Sequence, residues 1–404
     1  MSAEKTSLSF HEEIDVKPAD VYLALTNTGM VRQWLCDHAQ IDARSGGRLY
    51  LHWRQGYFAG GEFTELEPEK KVTFTWQGRG ETAVSNVHIT LHAENGHTHL
   101  ELNHKDVGAD DSWAQTRAEL KKGWESSLAN LKSVLETGLD RRIYDRPFLG
   151  ILISGAVSAE EAETLNLPIA GGIRISGTMD GTGAAAAGLQ NGDILVNLGG
   201  SETATFPALR EAITPFKAGE KVKITYYRDG EKASSQMLLS QRPVPNVPDT
   251  PGAFAEELRS VYDELDQELD ALLAGVTEAE ASHHPAEGEW NVKEVLAHLI
   301  GTERGTQLGL ATQLTNGVLD GFPNNPPAWV RSITAVYPTL PDIVAVWKRT
   351  ESETVALVAE LPVAFVKQKI HYLNLGNTLM IGLPGHTRTH FTQMREAITS
   401  ARNK

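Results

Sequence analysis

The chain has 404 residues, room for about three ordinary domains each with its own core. Its formal net charge of -15, from 37 Lys and Arg against 52 Asp and Glu, argues against nucleic-acid binding, because neutralising phosphates takes clustered basic side chains that are absent here. No run reaches the roughly 18 apolar residues of a membrane span and Met1 to Leu8 hold no apolar leader core, while the single cysteine, Cys36, precludes an intrachain disulfide; a reducing, cytoplasmic setting is expected.

In the first third, Leu8 to Val16 alternate as a strand and Pro18 to Leu25 begin a short helix. Four strand-like runs are predicted next, before a long helix from about Asp111 to Leu135. Trp113, Leu120, Trp124, Leu128, Leu131 and Leu135 form one apolar stripe along it. Asn95-Gly96 is a two-residue turn whose left-handed geometry sets a hairpin register. Counting outward places Glu94 opposite His97, His92 opposite His99, Thr90 opposite Glu101 and His88 opposite Asn103. Ile89, Leu91, Ala93, Leu100 and Leu102 then face inward, and four histidines gather on the other face. No third element anchors those imidazoles, so they read as a solvated surface.

The segment Ile14 through Leu25, Trp34, Gly46-Gly47-Arg48-Leu49, Gly61-Glu62-Phe63, Val72 to Trp76 and Gly123-Trp124-Glu125 resemble the helix-grip (START-like, SRPBCC) superfamily, and within it the homologues of the activator of the Hsp90 ATPase. The resemblance covers residues 1–138 and implies an antiparallel sheet wrapped on a long C-terminal helix around an apolar cavity. A small hydrophobic ligand is implied, with Trp34, Trp53, Phe74, Trp76 and Trp113 as lining; the alternative is that these aromatics fill the core. The Hsp90-activating role belongs to a longer architecture with an additional N-terminal domain and is not carried over.

Gly138 and the charged Asp140-Arg141-Arg142 read as a connector. Beyond it come Phe148 to Ile153, Gly171 to Ile175, the segment Ala187-Gly188-Leu189-Gln190-Asn191-Gly192-Asp193-Ile194-Leu195, a helix from about Thr205 to Thr214 and a strand from Lys221 to Arg228. That order, over residues 145–242, resembles a PDZ domain of the HtrA-associated type, a partly open β-barrel. It implies that the C-terminal peptide of a partner protein adds as a strand beside Ile151, its carboxylate on the backbone N–H groups of Leu149, Gly150 and Ile151. Leu209 and Ile213 would flank the pocket for the last side chain. Gly181-Thr182-Gly183 is not a phosphate loop, since no Gly-Lys-Ser/Thr follows. No serine nucleophile is backed by a matching His and Asp.

Residues 243–251 are proline-dense and read as a stiff linker. In 252–404 a first helix carries Phe254, Leu258, Val261, Leu265, Leu269 and Leu272 on one face. Asn291 and Glu294 form a capping box that starts a second helix holding His298. A loop with Pro323, Pro326 and Pro327 leads to a third helix, about Leu340 to Leu361. Pro384-Gly385 opens a last helix whose His386 and His390 lie one turn apart on one side. Two imidazoles leave a metal ion half-dressed, and His298 is the best third ligand.

The Trp290-led helix with His298, followed by the His386/His390 pair, resembles the DinB-like metal-dependent superfamily, an up-down four-helix bundle. The resemblance implies a divalent ion, zinc or nickel, on His298, His386 and His390, and in some members thiol-dependent transfer, isomerisation or hydrolysis. Glu303 falls on a different face from His298, and His283, His284 and His371 read as surface. The whole is therefore expected to be a multidomain α+β protein, with two readings of its function. One is an adaptor binding a peptide tail, a hydrophobic ligand and a metal, with no nucleic acid or membrane partner. The other is a metal-dependent transferase or hydrolase with two accessory modules. The adaptor is favoured because two of three modules bind rather than react.

Overall fold

The computed structural model describes residues 4–319, 321 and 326–403. Met1 to Ala3 and Pro323 lie outside the described residues. The chain forms two compact units, Met1–Gly138 with Pro245–Lys404, and Leu139–Val244.

The first unit begins with β1 (Lys5–Ile14), α1 (Pro18–Thr26), α2 (Thr28–Trp34), β2 (His38–Ile41), β3 (Arg48–His52), β4 (Phe58–Glu67), β5 (Lys71–Gly78), β6 (Ser85–Glu94), β7 (His97–Gly108) and α3 (Ala114–Thr137). The strands make one antiparallel sheet in the order β1-β7-β6-β5-β4-β3-β2. Six strands follow β1 where four runs were expected. Asn95 and Gly96 take φ of 52° and 92°, and the four cross-strand pairs counted from them are the observed register. Ala93 is exposed instead of buried, because the hairpin tip runs past the cover of the core. The α3 stripe packs into that core from Trp113 to Leu135.

The second unit comprises α4 (Arg141–Tyr144), β8 (Pro147–Phe148), β9 (Ile151–Val157), α5 (Ala159–Thr164), β10 (Gly172–Thr178), α6 (Gly183–Ala186), β11 (Ile194–Leu198), β12 (Ser201–Glu202), α7 (Phe206–Ile213), β13 (Lys221–Arg228), β14 (Glu231–Leu238) and β15 (Ser240–Gln241). Its main sheet runs β14-β13-β11-β10-β9, which leaves β9 at an edge, while β15 pairs with β8. Asp193, fully buried, ties the sheet together by accepting Arg228 Nε at 2.7 Å and the Gln190 N–H at 2.8 Å.

The chain returns to the first unit with α8 (Pro251–Leu273), α9 (Glu278–Ala281), α10 (Val292–Leu314), α11 (Pro327–Val336), α12 (Leu340–Ala359), α13 (Val363–Val366), α14 (Lys369–Asn377) and α15 (Leu383–Arg402). Both α8 and α10 pack on α12 and on α15, closing a four-helix ring. Tyr262 is buried on α8 where Val261 was expected, and Val261 is only half-buried. The linker is not a free spacer: Val247 packs on the bundle core and Pro248 O accepts the Tyr372 hydroxyl at 2.7 Å. The bundle also docks on the helix-grip core, where Ile370 of α14 is buried. Gly138 permits this approach, since a Cβ there would lie 2.8 Å from the Lys369 backbone, and its φ of 79° ends α3 in the left-handed cap glycine favours.

Candidate metal centre and binding sites

The capping box forms as the sequence indicates: Asn291 Oδ1 accepts the Glu294 N–H at 3.0 Å and Glu294 Oε2 accepts the Asn291 N–H at 3.0 Å. It starts α10 so that Val295, Leu296, Leu299 and Ile300 are buried and His298, 6% exposed, turns toward α15. That last helix does not begin at Pro384. It continues from α14 through a π turn at Thr378–Gly382, which gives the proline ring and its missing N–H a place in an otherwise unbroken helix.

His386 and His390, one turn apart on α15, meet His298 with Nε2–Nε2 separations of 3.2 Å (298 to 386), 3.0 Å (298 to 390) and 3.2 Å (386 to 390). A closed triangle of three Nε2 atoms cannot be satisfied by protons. If one ring donates to the second, the second has no Nε2–H left, and any proton on the third then faces either a spent lone pair or another proton. A cation removes the conflict. Donors bound at about 2.05 Å around a tetrahedral ion lie about 3.3 Å apart, close to the observed spacing. Gln393 Oε1 lies 2.8 Å from His390 Nδ1, placing that ring's proton on Nδ1 and leaving Nε2 as a lone pair. Burial, then His390 and His298, push His386 down to about 4. Burial also lowers His390, against the opposing pull of Gln393. Both rings are neutral near neutral pH.

Sequence reasoning missed an acid cluster deeper in the same bundle. Glu303 is buried and accepts the Tyr262 hydroxyl at 2.7 Å and Thr354 Oγ1 at 2.5 Å. Glu351, fully buried on α12, is pushed up to about 10 by burial and by the carboxylates of Asp266 and Glu303. Neither of its oxygens meets a donor among the described residues, so it holds a proton. His371 is also buried, not surface: it stacks on Phe365 at 6.2 Å, and burial lowers it to about 4. His284 does lie outside, on Glu294 Oε2 at 2.8 Å, and His283 Nε2 lies 3.4 Å from Ser400 Oγ.

The helix-grip domain encloses a cavity of about 350 Å³ walled by Trp53, Tyr57, Trp76, Glu81, Leu120 and Trp124. Trp53 and Trp76 are thus where the lining was expected; Trp34, Phe74 and Trp113 are packed elsewhere in the core. Trp34 donates its indole N–H to Ala24 O at 2.8 Å, Phe74 meets Phe63 edge-on at 5.9 Å, and Trp113 lies over Gly108, where a Cβ would come within 2.4 Å of the ring. Tyr57, Glu81 and Trp124 went unrecognised as lining. Glu81 Oε1 accepts the Tyr57 hydroxyl at 3.1 Å and the Trp76 indole N–H at 3.3 Å, and Oε2 accepts the Gly78 N–H at 2.9 Å. Burial and the Glu81 charge raise the Tyr57 phenol, which stays neutral. Behind the wall, His104 takes the Trp124 N–H on Nδ1 at 3.1 Å and meets Ser85 Oγ at 2.7 Å. Carrying the hairpin count one pair further inward along β7 would have flagged it.

In the second unit, Leu149, Ile151, Leu209 and Ile213 join one apolar cluster. Gly150 has φ of 77°, and its carbonyl accepts the Met179 N–H at 2.8 Å; a Cβ there would come within 2.1 Å of the Thr182 hydroxyl. The loop is therefore held in one shape at the start of the edge strand β9, where Leu152 and Ile153 are exposed.

Three family models match the chain. Residues 15–136 match the Activator of Hsp90 ATPase homolog 1-like protein family, residues 147–239 the PDZ domain and residues 261–394 the DinB superfamily. The chain is similar to the serine protease Do-like HtrA of Lactococcus lactis subsp. cremoris, 32% identical over 120 residues, 29% of this chain and 29% of that protein. It is also similar to a probable periplasmic serine endoprotease DegP-like of Marinomonas, 36% identical over 98 residues, 24% of this chain and 21% of that protein. It thus spans less than a third of the length of either. Among solved structures, the Aha1 dimer from Colwellia psychrerythraea matches at 20% identity and TM-score 0.29, over 32% of this chain and 96% of that one. An HSP90 activator from Plasmodium falciparum matches at 27% identity and TM-score 0.29, over 32% and 95%. A helix-grip, a PDZ and a DinB-like domain make this a multidomain binding protein.

Proposed function

We propose that the protein is an adaptor: the PDZ domain takes the C-terminal peptide of a partner protein, the helix-grip cavity takes a small, largely apolar molecule, and the bundle holds one divalent ion on His298, His386 and His390. The observation that carries the metal assignment is the triangle of Nε2 atoms at 3.0 to 3.2 Å, which no arrangement of protons satisfies. The peptide assignment is supported by the open edge of β9 beside a shaped Leu149-Gly150-Ile151 loop. The chain's single cysteine, Cys36, is buried, in keeping with a reducing, cytoplasmic setting.

Metal analysis of the purified full chain is expected to return one equivalent of zinc or nickel, and none in His390→Ala at unchanged helix content. Equal metal in both samples would defeat the assignment. For the PDZ domain, free C-terminal peptides should bind and their amidated forms should not, since the amide removes the charge that the loop receives.

A second reading, a metal-dependent thiol transferase or hydrolase, draws on one observation: His386 and His390 are only half-buried, so the triad is open to solvent on one side. Three imidazole ligands leave a bound divalent ion an open position at which it would acidify water or a thiol. Around it, His298 would anchor the set from inside the bundle and Gln393 would hold the His390 proton away from Nε2. Thiol-dependent turnover that vanishes in His390→Ala would establish this reading over the first.

A further inference from the structure

The helix-grip cavity has an uneven supply of hydrogen-bonding groups. Every indole N–H and phenol O–H in its wall is already donated to the protein: Trp53 Nε1 to Leu35 O at 2.8 Å, Trp76 Nε1 and Tyr57 Oη to Glu81, and Trp124 Nε1 to His104 Nδ1. The polar capacity left on these groups consists of lone pairs. Tyr57 Oη, its proton spent on Glu81, can only accept. The Glu81 carboxylate offers about four acceptor positions, of which three are used.

Much of the remaining wall is aromatic, beside Leu35, Gln55, Thr116, Gly123 and Ser127. Trp53 lies 5.3 Å from Tyr57 and 6.4 Å from Trp76, and Trp76 lies 5.6 Å from Trp124, ring centre to ring centre. Ring faces carry negative quadrupole charge, so they attract cations as the carboxylate does. The charged residues nearby do not cancel this. Glu81 is only 8% exposed. Glu119 and Arg79 stand exposed at the rim, where water screens them, and Arg79 Nη1 is committed to Gly56 O at 2.9 Å.

We propose that this cavity selects an organic cation, a protonated amine on an aromatic or other apolar body, with the ammonium donating to Glu81 and Tyr57 and the body lying against Trp53, Trp76 and Trp124. This deepens the reading above that the cavity holds a small apolar molecule, and rests on it. A carboxylate ligand would be repelled by the Glu81 charge and would find no free donor on Tyr57 or the three indoles. An alcohol of the same shape would fill the space and give one weaker hydrogen bond.

The test titrates the full chain at pH 7, following tryptophan fluorescence, with three matched probes: 2-phenylethylammonium, 2-phenylethanol and phenylacetate. The ammonium should bind roughly tenfold more tightly than the alcohol, the size of one partly desolvated cation–π and charge contact. Phenylacetate should bind weakest. Glu81→Gln should bring the ammonium to the level of the alcohol and leave the alcohol unchanged. Equal affinity for ammonium and alcohol, or preference for phenylacetate, overturns the cation assignment while the apolar-ligand reading stands. Failure of all three probes to bind overturns both. Should Glu81→Gln not fold, the ranking of the three probes on the unaltered chain still decides.

Discussion

Four histidines on the β6–β7 hairpin and three where α10 meets α15 are the same side chain in two settings. On the hairpin, His92 sits directly opposite His99 and all four project from one face. Yet His97 turns to Asp15 at 3.2 Å and His99 to Glu94 at 3.0 Å, each ring about 40% exposed and each with an acid of its own. In the bundle, rings from two helices point at one another, and three lone-pair positions share one point. Proximity on a sheet face therefore does not make a ligand set. A strand face sends its side chains out in parallel, whereas two facing helices send theirs inward to a common centre.

Removing rings from each group should separate them most sharply. His298→Ala is expected to empty the proposed metal site, while replacing His92 and His99 together should leave any bound equivalent in place, as elemental analysis of the purified chains would show. The next largest contrast is between buried and exposed titration. Glu351, pushed up to about 10 from an ordinary 4.5, keeps its proton in the folded state, so its contribution is complete below pH 4.5 and is lost as pH rises toward 10. The loss runs at about 1.4 kcal/mol per pH unit. Glu351→Gln should therefore melt higher than the parent at pH 9 and the same at pH 4; an unchanged alkaline limb would refute the buried-acid assignment.

His104 has the opposite sign. Burial lowers it from 6.5 to about 4, so its contribution is complete above pH 6.5 and is lost as pH falls toward 4, again by about 1.4 kcal/mol per unit. Melting temperatures between pH 7 and 4 should show this slope flattened in His104→Gln. In His99→Gln, a surface change worth within about 0.5 kcal/mol, the slope should persist. The smallest effect belongs to Gln393. Gln393→Leu should weaken metal binding by about 10- to 100-fold in a chelator competition, the usual cost of a lost outer partner, with the helix content unchanged.

Much of this was readable from local pattern. The Asn95-Gly96 count set a register over four pairs, the capping box at Asn291 set the start of α10, and the spacing of His386 and His390 put both rings on one side. What went unread shares a cause. Tyr262 displaced Val261 because two neighbouring helix positions both lie near the apolar face, and only the partner helices choose between them. Glu81 sits in a loop whose sequence carries no period, so nothing short of the folded wall pairs it with Tyr57 and Trp76. His371 looked like surface because a polar residue in a short helix gives no hint of what lies over it.

Sequence alone determined most of the long helices, the hairpin pairing and the segments that match three families, since these follow from periodicity, turn chemistry and short-range spacing along the chain. Tertiary structure alone decided which side chains converge: His298 with two rings some ninety residues on, Glu303 with Tyr262 and Thr354, and Trp124 with His104 behind the cavity wall. Those contacts depend on how helices and sheet pack, a sum of many small burial and hydrogen-bond terms spread over distant residues. No local window contains that sum.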